Sequence, residues 1–411
     1  MNMRKNKLLK KLIFPVSVSL FSVILSCQKT EEPAKADVII EGLDQKIRQS
    51  FILKPNEETM SAIYKSAGKN LPGAPTTRAD IIKSLLSISG ASRNQALHST
   101  LQTILENLKP GINEFRSAES MKWSSPERNT GIGLVLHKDG TAVKSLYTIE
   151  GSPAHQANLP SGASLEAVDG FPVSGLTLDE IVGRIRGTAD SAITLKLNGK
   201  EYTLKRKPFS FDSISHTTWK GKNGDIEYFV IRAALPGTAA NLKQILLKMG
   251  KRDTVILDLR MLQPGDYQEC FKIADIFIAK GKMGSIKMRS TEEIFEADSE
   301  ILFSEDVYVV MGAKASPYAA TLASAMKIVP HIIYAGVDIA APAFVTKPET
   351  IEGYQFHITQ GAVYDAHDRP LYETGLKTDI KVLDDTLPGK LLDKPDLTDP
   401  VQKRFAEMFG I

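Results

Sequence analysis

A strand, a short turn and a helix follow one another between Val307 and Ala325. The run Val307 to Met311 is apolar and rich in β-branched residues, which predicts a buried strand. A Gly-Ala-Lys-Ala turn comes next, and Ser316-Pro317 then opens an alanine-rich stretch. A strand that turns into a helix at a serine can present a nucleophile at the carboxyl edge of a sheet. The same pattern also describes an ordinary helix start, with serine as N-cap and proline at the first helical position.

Strands and helices alternate over the second half of the chain. Thr254 to Arg260 predicts a buried strand that ends in charged residues, and a helix is predicted from Tyr267 to Ala279. Such alternation favours an α/β layer around a largely parallel sheet. Three further predictions come from the same patterns: a strand at Ile332 to Ala335, a strand pair at Gln355 to Thr359 and Ala362 to Tyr364, and a last amphipathic helix after Asp399-Pro400.

The first residues predict a secretory leader. Five basic residues precede an apolar run from Leu12 to Leu25 that is short for a membrane span, and Ser26-Cys27 follows. Ile24-Leu-Ser-Cys27 resembles a bacterial lipoprotein box, which implies that Cys27 becomes the acylated first residue and anchors the chain to a membrane. Plain secretion with a free Cys27 is the alternative.

Charge excludes one class of partner. The formal net charge of the 411-residue chain is +3, and removing the five basic residues of the leader leaves −2. A nearly neutral exported protein is a poor candidate for nucleic-acid binding. The pattern contains no metal-ligand motif, and we expect neither a metal nor another cofactor.

From Gly131 onward the pattern changes to short strands and turns. Gly131-Ile132-Gly133-Leu134 begins an extended segment, Gly-Ser-Pro-Ala and Val-Asp-Gly turns follow at 151–154 and 168–170, and Asn198-Gly199 predicts a hairpin. This ordered set resembles a PDZ domain. The resemblance implies that backbone N–H groups at Gly131 to Leu134 bind the terminal carboxylate of a peptide, which adds as a strand beside a helix. A β-rich module without a working groove is the alternative.

The combination of these features resembles the carboxyl-terminal processing (tail-specific) serine proteases. The resemblance covers roughly residues 130 to 385 and includes Val-Ile-Leu-Asp-Leu-Arg, the Val-Val-x-x-x-x-Ala-Ser run and a closing Gly-x-x-x-Asp-Ile-x-Val. It implies that Ser316 matches the nucleophile and that Gly265 supplies one N–H to the oxyanion. The implied lysine base should fall near Ala340-Ala341-Pro342.

The chain departs from that pattern where the chemistry would occur. The expected lysine is absent, Lys347 comes a few residues late, and Lys314 precedes the serine on its turn. Pro317, directly after Ser316, has no N–H and cannot serve as an oxyanion donor. Whether the chain is an enzyme is therefore open, although the resemblance is to serine peptidases.

Three hypotheses remain. The departures favour a cell-envelope lipoprotein, in the periplasm or at the cell surface, that binds C-termini of exported proteins and has a degenerate serine protease site. The alternative is an active endopeptidase that trims such tails with Ser316 and a relocated base such as Lys347. A purely structural surface lipoprotein would leave the loop at Gly131 unused.

The predicted fold class is multidomain α/β (α+β), with a mostly parallel sheet in a protease-like core. The predicted divisions are a lipoprotein signal peptide (1–26), a tether (27–37), a helical N-terminal region (38–125), a PDZ domain (126–208), a tail-specific-protease-like domain (209–395) and a C-terminal helix (396–411).

Overall fold

The computed structural model describes residues 35–108, 113–116, 130–139, 142–149, 151–174, 176, 178–209, 212–222, 224–248, 254–263, 265–297, 306–313, 315–382 and 393–411. The leader, Cys27 and Lys314 lie outside the described residues, so the predictions about them stay predictions. Within these ranges, no helix is both long enough and apolar enough to cross a bilayer.

Four helices form the N-terminal part: α1 (Ala36–Ser50), α2 (Glu57–Ala67), α3 (Arg78–Ser87) and α4 (Gly90–Asn107). The first begins at Ala36, two residues before the predicted start at 38, and Ala36 is fully buried. Side chains of Asn56 and Thr77 cap α2 and α3 by accepting backbone N–H bonds. A short strand, β1 (Glu114–Arg116), lies in the region predicted as helical, because it pairs with a strand near the other end of the chain.

A β-rich module follows. Its elements are β2 (Leu134–Asp139), β3 (Ala142–Thr148), α5 (Pro153–Gln156), β4 (Leu165–Val168), β5 (Phe171–Pro172), α6 (Leu178–Ile185), β6 (Ala192–Leu197) and β7 (Lys200–Lys205). β2 and β3 form an antiparallel hairpin, and a second sheet has the order β5-β4-β6-β7. Ile132, Ile181 and Leu195 are buried together in the core of this module.

The remaining elements in chain order are β8 (Ile214–Gly221), β9 (Gly224–Ile231), α7 (Thr238–Lys248), β10 (Thr254–Asp258), α8 (Tyr267–Asp275), β11 (Gly281–Met288), β12 (Glu292–Ala297), β13 (Asp306–Met311), α9 (Pro317–Met326), β14 (Ile332–Gly336), β15 (Phe344–Ile351), β16 (Tyr354–Asp365), α10 (Leu371–Thr374), β17 (Ile380–Lys381) and α11 (Pro400–Phe409). The six-stranded sheet has the order β17-β14-β13-β10-β9-β8. Its strands pair in parallel except for the antiparallel β8 and β9. The prediction of helices around a mostly parallel sheet is confirmed.

A second, antiparallel sheet corrects one prediction. The two runs at 355–359 and 362–364 belong to one continuous strand, β16, which pairs with β15, β11 and β1. Gly361 joins the two runs, and a Cβ there would lie 2.4 Å from Met288 Sδ. The glycine interrupts the apolar pattern and lets the backbone pairing continue through a crowded position.

The two faces of the six-stranded sheet bury different elements. Helices α7, α8 and α9 cover one face, where Leu242, Phe271 and Ala319 are buried. Tyr147 of the β2–β3 hairpin and Phe405 of α11 pack on the other face. The β-rich module is therefore in direct contact with the sheet that carries Ser316.

A buried charge network holds α11 in place. Asp258, at the end of β10, accepts hydrogen bonds from the guanidinium of Arg260 and from the hydroxyl of Tyr228. Arg260 also donates to Asp399 through Nη1 at 3.0 Å and Nη2 at 2.7 Å. Asp399 in turn caps α11 by accepting the N–H of Val401 at 2.9 Å. The Asp-Leu-Arg sequence that begins with the last residue of β10 thus has a structural role.

Candidate functional site

Ser316 lies at the start of α9, just beyond the carboxyl end of β13. Its side chain is buried, and its Oγ accepts the N–H of Ala319 at 3.1 Å, so Ser316 is the helix N-cap. The hydroxyl donates to the carbonyl oxygen of Leu262 at 2.5 Å. The predicted helix start is confirmed, and the hydroxyl proton is held by a backbone carbonyl.

No basic side chain among the described residues lies within hydrogen-bonding distance of Ser316 Oγ. Ala341 and Ala343, in the segment where the resemblance implies a lysine, are fully buried in the main core. Lys347 lies on β15, where its side chain lines a cavity of ≈ 430 Å³ together with Tyr267 and Val345. The structure does not bring Lys347 to the hydroxyl of Ser316.

The oxyanion side of the site is equally altered. Pro317 occupies the first position of α9 and has no N–H. Gly265 lies against the ring of Tyr318, because a Cβ placed on Gly265 would be 2.6 Å from Tyr318 Cγ. The ring of Tyr318 also packs against that of Tyr267, with centroids 4.9 Å apart. An aromatic pair therefore lies beside the expected oxyanion donor.

Neither tyrosine can replace the missing base at neutral pH. Burial raises the pKa of both Tyr267 and Tyr318 above the ordinary phenol value, so both hydroxyls stay protonated. The Tyr267 hydroxyl donates to the carbonyl of Phe344 at 2.7 Å. The sequence analysis missed this pair, although Tyr318 directly follows Pro317 and could have been noticed for its bulk.

The second candidate site is the segment Gly131 to Leu134, called the Gly131 loop below. Three consecutive carbonyls of this loop accept backbone N–H bonds from the body of the module. Gly131 bonds to Lys207 at 3.1 Å, Ile132 to Ala154 at 2.8 Å and Gly133 to Ile149 at 2.8 Å.

The N–H groups of the loop face the other way. In a planar trans peptide the N–H of one residue is antiparallel to the carbonyl of the residue before it. The N–H groups of Ile132, Gly133 and Leu134 therefore point away from the residues that hold the three carbonyls. Those of Ile132 and Gly133 donate to no acceptor in the described part of the chain. The Gly131 loop thus has two backbone donors, at Ile132 and Gly133, without an acceptor in the described part of the chain, and its binding of a carboxylate stays a prediction.

Ser152 supports the loop from behind. Gly133 has φ +73°, and a Cβ there would lie 2.2 Å from Ser152 Cβ, so a side chain has no room. Ser152 is buried and caps α5 through a bond from the N–H of His155. The Gly-Ser-Pro-Ala turn therefore sets the position of the Gly131 loop, a contact that no sequence pattern indicated.

A metal site is not indicated. The described residues contain no cluster of three or more His, Cys, Asp or Glu side chains arranged to hold an ion. Cys270 is a buried thiol, and burial raises its pKa above the ordinary value, which makes it an unreactive core residue.

Several bacterial proteases, among them the following two, are similar in sequence to this chain. A probable CtpA-like serine protease of Staphylococcus aureus (strain bovine RF122 / ET3-1) is 26% identical over 227 residues, which are 53% of this chain and 45% of that protein. A carboxy-terminal-processing protease of Bartonella bacilliformis is 27% identical over 197 residues, 46% of this chain and 45% of that protein. The chain is similar in sequence to carboxyl-terminal processing proteases over about half of its length. It matches less than half the length of either relative, and no protein-family model matches it.

Solved structures share the fold of the carboxyl-terminal processing proteases with this chain. The photosystem II D1 C-terminal processing protease superposes with a TM-score of 0.62 at 18% identity, over 84% of this chain and 93% of that one. A putative S41 protease from Bacteroides fragilis superposes with a TM-score of 0.50 at 14% identity, over 83% and 90%. The chain thus has this fold, with Ser316 at the start of α9 and no base at hydrogen-bonding distance from its hydroxyl among the described residues.

Proposed function

We propose that this chain is a cell-envelope lipoprotein whose β-rich module is a PDZ domain. In this proposal the module binds the C-termini of exported proteins, and the serine site does not hydrolyse peptide bonds. The N–H groups of Ile132 and Gly133 carry the binding part of the proposal, because they donate to no acceptor among the described residues and a terminal carboxylate is a ligand that such donors match.

The strip between the outer edge of β2 and α6, called the groove below, supports an extended peptide as the ligand. Among the described strands β2 pairs only with β3, so its other edge is open to an added strand. Leu134, Leu178 and Val182 are partly buried and pack against the module core. They give the groove an apolar wall, which suits a peptide with an apolar C-terminal side chain.

Two features support the absence of catalysis. A serine hydroxyl needs a base within hydrogen-bond reach, and that of Ser316 donates to Leu262 instead. Removing one oxyanion donor costs about 10²–10³ in kcat, and Pro317 removes one of the two that the family provides. Loss of base and donor together leaves little transition-state stabilisation.

The alternative is an active peptidase, favoured by the protease names of the relatives and by the retained serine at the head of α9. It requires a relocated base, and Lys347 would have to reach Ser316 in another state. The anchor proposal rests on the leader and on Cys27, and mass spectrometry of the mature N-terminus tests it. An unmodified Cys27 or cleavage elsewhere would exclude the anchor.

Peptide binding and hydrolysis can be tested on the same preparation. The mature chain is titrated with an unstructured peptide ending in leucine, as the free acid and as the C-terminal amide. We expect the free acid to bind at least about tenfold more tightly, since the amide removes the charge that the N–H groups receive. Equal affinities would refute carboxylate recognition.

Hydrolysis of the same peptide is followed by mass spectrometry over many hours, with Ser316→Ala as the control. We expect no cleavage above that of the Ser316→Ala variant. Cleavage that stops when Ser316 is replaced would establish the alternative, and Lys347→Ala would then identify the base.

A further inference from the structure

Arg206 is a buried arginine at the end of the β-rich module, directly after β7. Its side chain is only 5% exposed, and its Nη2 lies 3.6 Å from the carboxylate of Asp169. The guanidinium uses most of its donors on backbone carbonyls. Its contacts include Nε to Ile185 O at 2.8 Å, Nη2 to Arg184 O at 3.1 Å, Nη1 to Ala192 O at 2.6 Å, Nη1 to Ser191 Oγ at 3.1 Å, and Nη2 to Asp169 Oδ2 at 3.6 Å.

Two of these carbonyls belong to the last turn of α6. The terminal carbonyls of a helix have no partner within the helix and carry the negative end of its dipole. The guanidinium group of arginine is planar and positively charged, so it can donate hydrogen bonds to these carbonyls and also offset the negative end of the dipole. Because Nη1 also holds Ala192 at the start of β6, Arg206 fixes the end of α6 relative to the sheet of the module.

The neighbouring residue holds the opposite wall of the groove. Lys207 N–H donates to Gly131 O at 3.1 Å, at the start of the Gly131 loop. Gly187, just past α6, donates its N–H to Thr130 O at 3.0 Å, and the Thr130 hydroxyl donates back to Gly187 O at 2.6 Å. A Cβ on Gly187 would lie 2.6 Å from Arg206 Nε, so the guanidinium packs directly on this backbone. Helix α6 on one side of the groove bonds to Arg206, and the Gly131 loop on the other side bonds to Lys207, the next residue in the chain.

We propose that Arg206 is a positioning residue that sets the separation of α6 from the Gly131 loop, and thereby determines which C-terminal side chains the groove admits. The proposal rests on the peptide binding proposed above. The Arg206 side chain bonds to the last turn of α6 and to none of the loop residues, whereas the carbonyls of the Gly131 loop accept backbone N–H groups from Lys207, Ala154 and Ile149. Changing the side chain should therefore loosen the pocket for the peptide side chain and leave the carboxylate donors in place.

The test compares two ratios of affinity on the mature chain. The probes are peptides of one sequence that end in leucine or in alanine, each as free acid and as amide, measured by calorimetry well below the unfolding temperature of every variant. The variants are Arg206→Lys, which keeps the charge and loses the fork, and Arg206→Met, which loses both. Ser145→Ala is the matched control, because Ser145 is a buried residue of the same module whose hydroxyl bonds to Pro160 O and Ala163 O, away from α6.

The wild type should prefer leucine over alanine by at least about tenfold, the value typical of a filled apolar pocket. We expect Arg206→Lys and Arg206→Met to lower this preference to about threefold or less while the preference for free acid over amide persists; Ser145→Ala should change neither ratio. An unchanged leucine preference in Arg206→Lys, or an equal fall in Ser145→Ala, would overturn the positioning role. If the wild type does not discriminate free acid from amide, the proposed function fails and this inference fails with it. If it does discriminate and the Arg206 variants match it in both ratios, only the inference fails.

Discussion

Replacing Asp399 by alanine should destabilise the protein far more than a typical surface substitution. Asp399 receives two hydrogen bonds from the buried Arg260 and caps α11 through Val401. Loss of an N-cap costs about 1 kcal/mol. Breaking a buried ion pair costs about 3–5 kcal/mol, and the lower end applies because Arg260 keeps Asp258 as a partner. The expected total is about 4 kcal/mol, since both losses occur together.

Thermal unfolding measures this effect. For a cooperative unit of 150–250 residues, 1 kcal/mol corresponds to about 2–4 °C, so Asp399→Ala should lower Tm by about 10 °C. Asp396→Asn is the matched control, because Asp396 lies three residues away and its carboxylate bonds only locally, to Thr398. We expect the control to stay within about 2 °C of the wild type. The reasoning would be refuted if the two variants unfolded at the same temperature.

Three further perturbations address the candidate sites and one surface charge cluster. Ser316→Ala removes the N-cap of α9 and should lower the free energy of unfolding, measured with denaturant, by about 1 kcal/mol. Ser316→Thr keeps a capping hydroxyl and should lower it by less. Equal losses in the two variants would contradict the capping role. In Gly133→Val the new side chain would clash with Ser152 and the backbone would be strained at φ +73°, so peptide affinity should fall at least about tenfold. Gly131→Ala, with open space around its Cβ, should bind the peptide normally. Equal binding by both variants would argue against a role of the loop in peptide binding. The side chains of Lys282 and Lys287 lower the pKa of Asp368 from 3.8 to about 2, so its ion pairs stabilise the protein above pH 3.8 and are lost as the pH falls through about 2. The Tm difference between wild type and Asp368→Asn should therefore shrink over that interval, and a difference independent of pH would contradict the ion pairs.

Local patterns predicted the parts of the fold that depend on nearby residues. The buried strand at Val307 to Met311 and the helix that Ser316 opens both follow from residue types within a few positions. The last helix follows from Asp399-Pro400 in the same way. The run at 355–364 misled the prediction because Gly361 interrupts the side-chain pattern without interrupting the strand.

The candidate sites depend on residues that are distant in sequence, so local sequence patterns predicted less of their structure. The Gly131 loop was predicted from its glycines, but its support by Ser152 and Lys207 required the fold. The ring of Tyr318 beside Gly265 is a contact across the sheet edge that no local pattern encodes. The bond between Arg260 and Asp399 spans 139 residues, so the Asp-Leu-Arg sequence could not reveal what it holds.

The shared core of the N-terminal helices and β16 has a consequence for the order in which the protein can fold. Phe115 and Phe356 are buried together, and Asn113 Oδ1 accepts the N–H of Thr359, 246 residues further along. At about 5–20 residues per second, synthesis of that interval takes about 12–50 s. During this time the helices have left the ribosome without the strand that covers their apolar faces. Their exposed surface is therefore available to chaperones for far longer than helices themselves need to form.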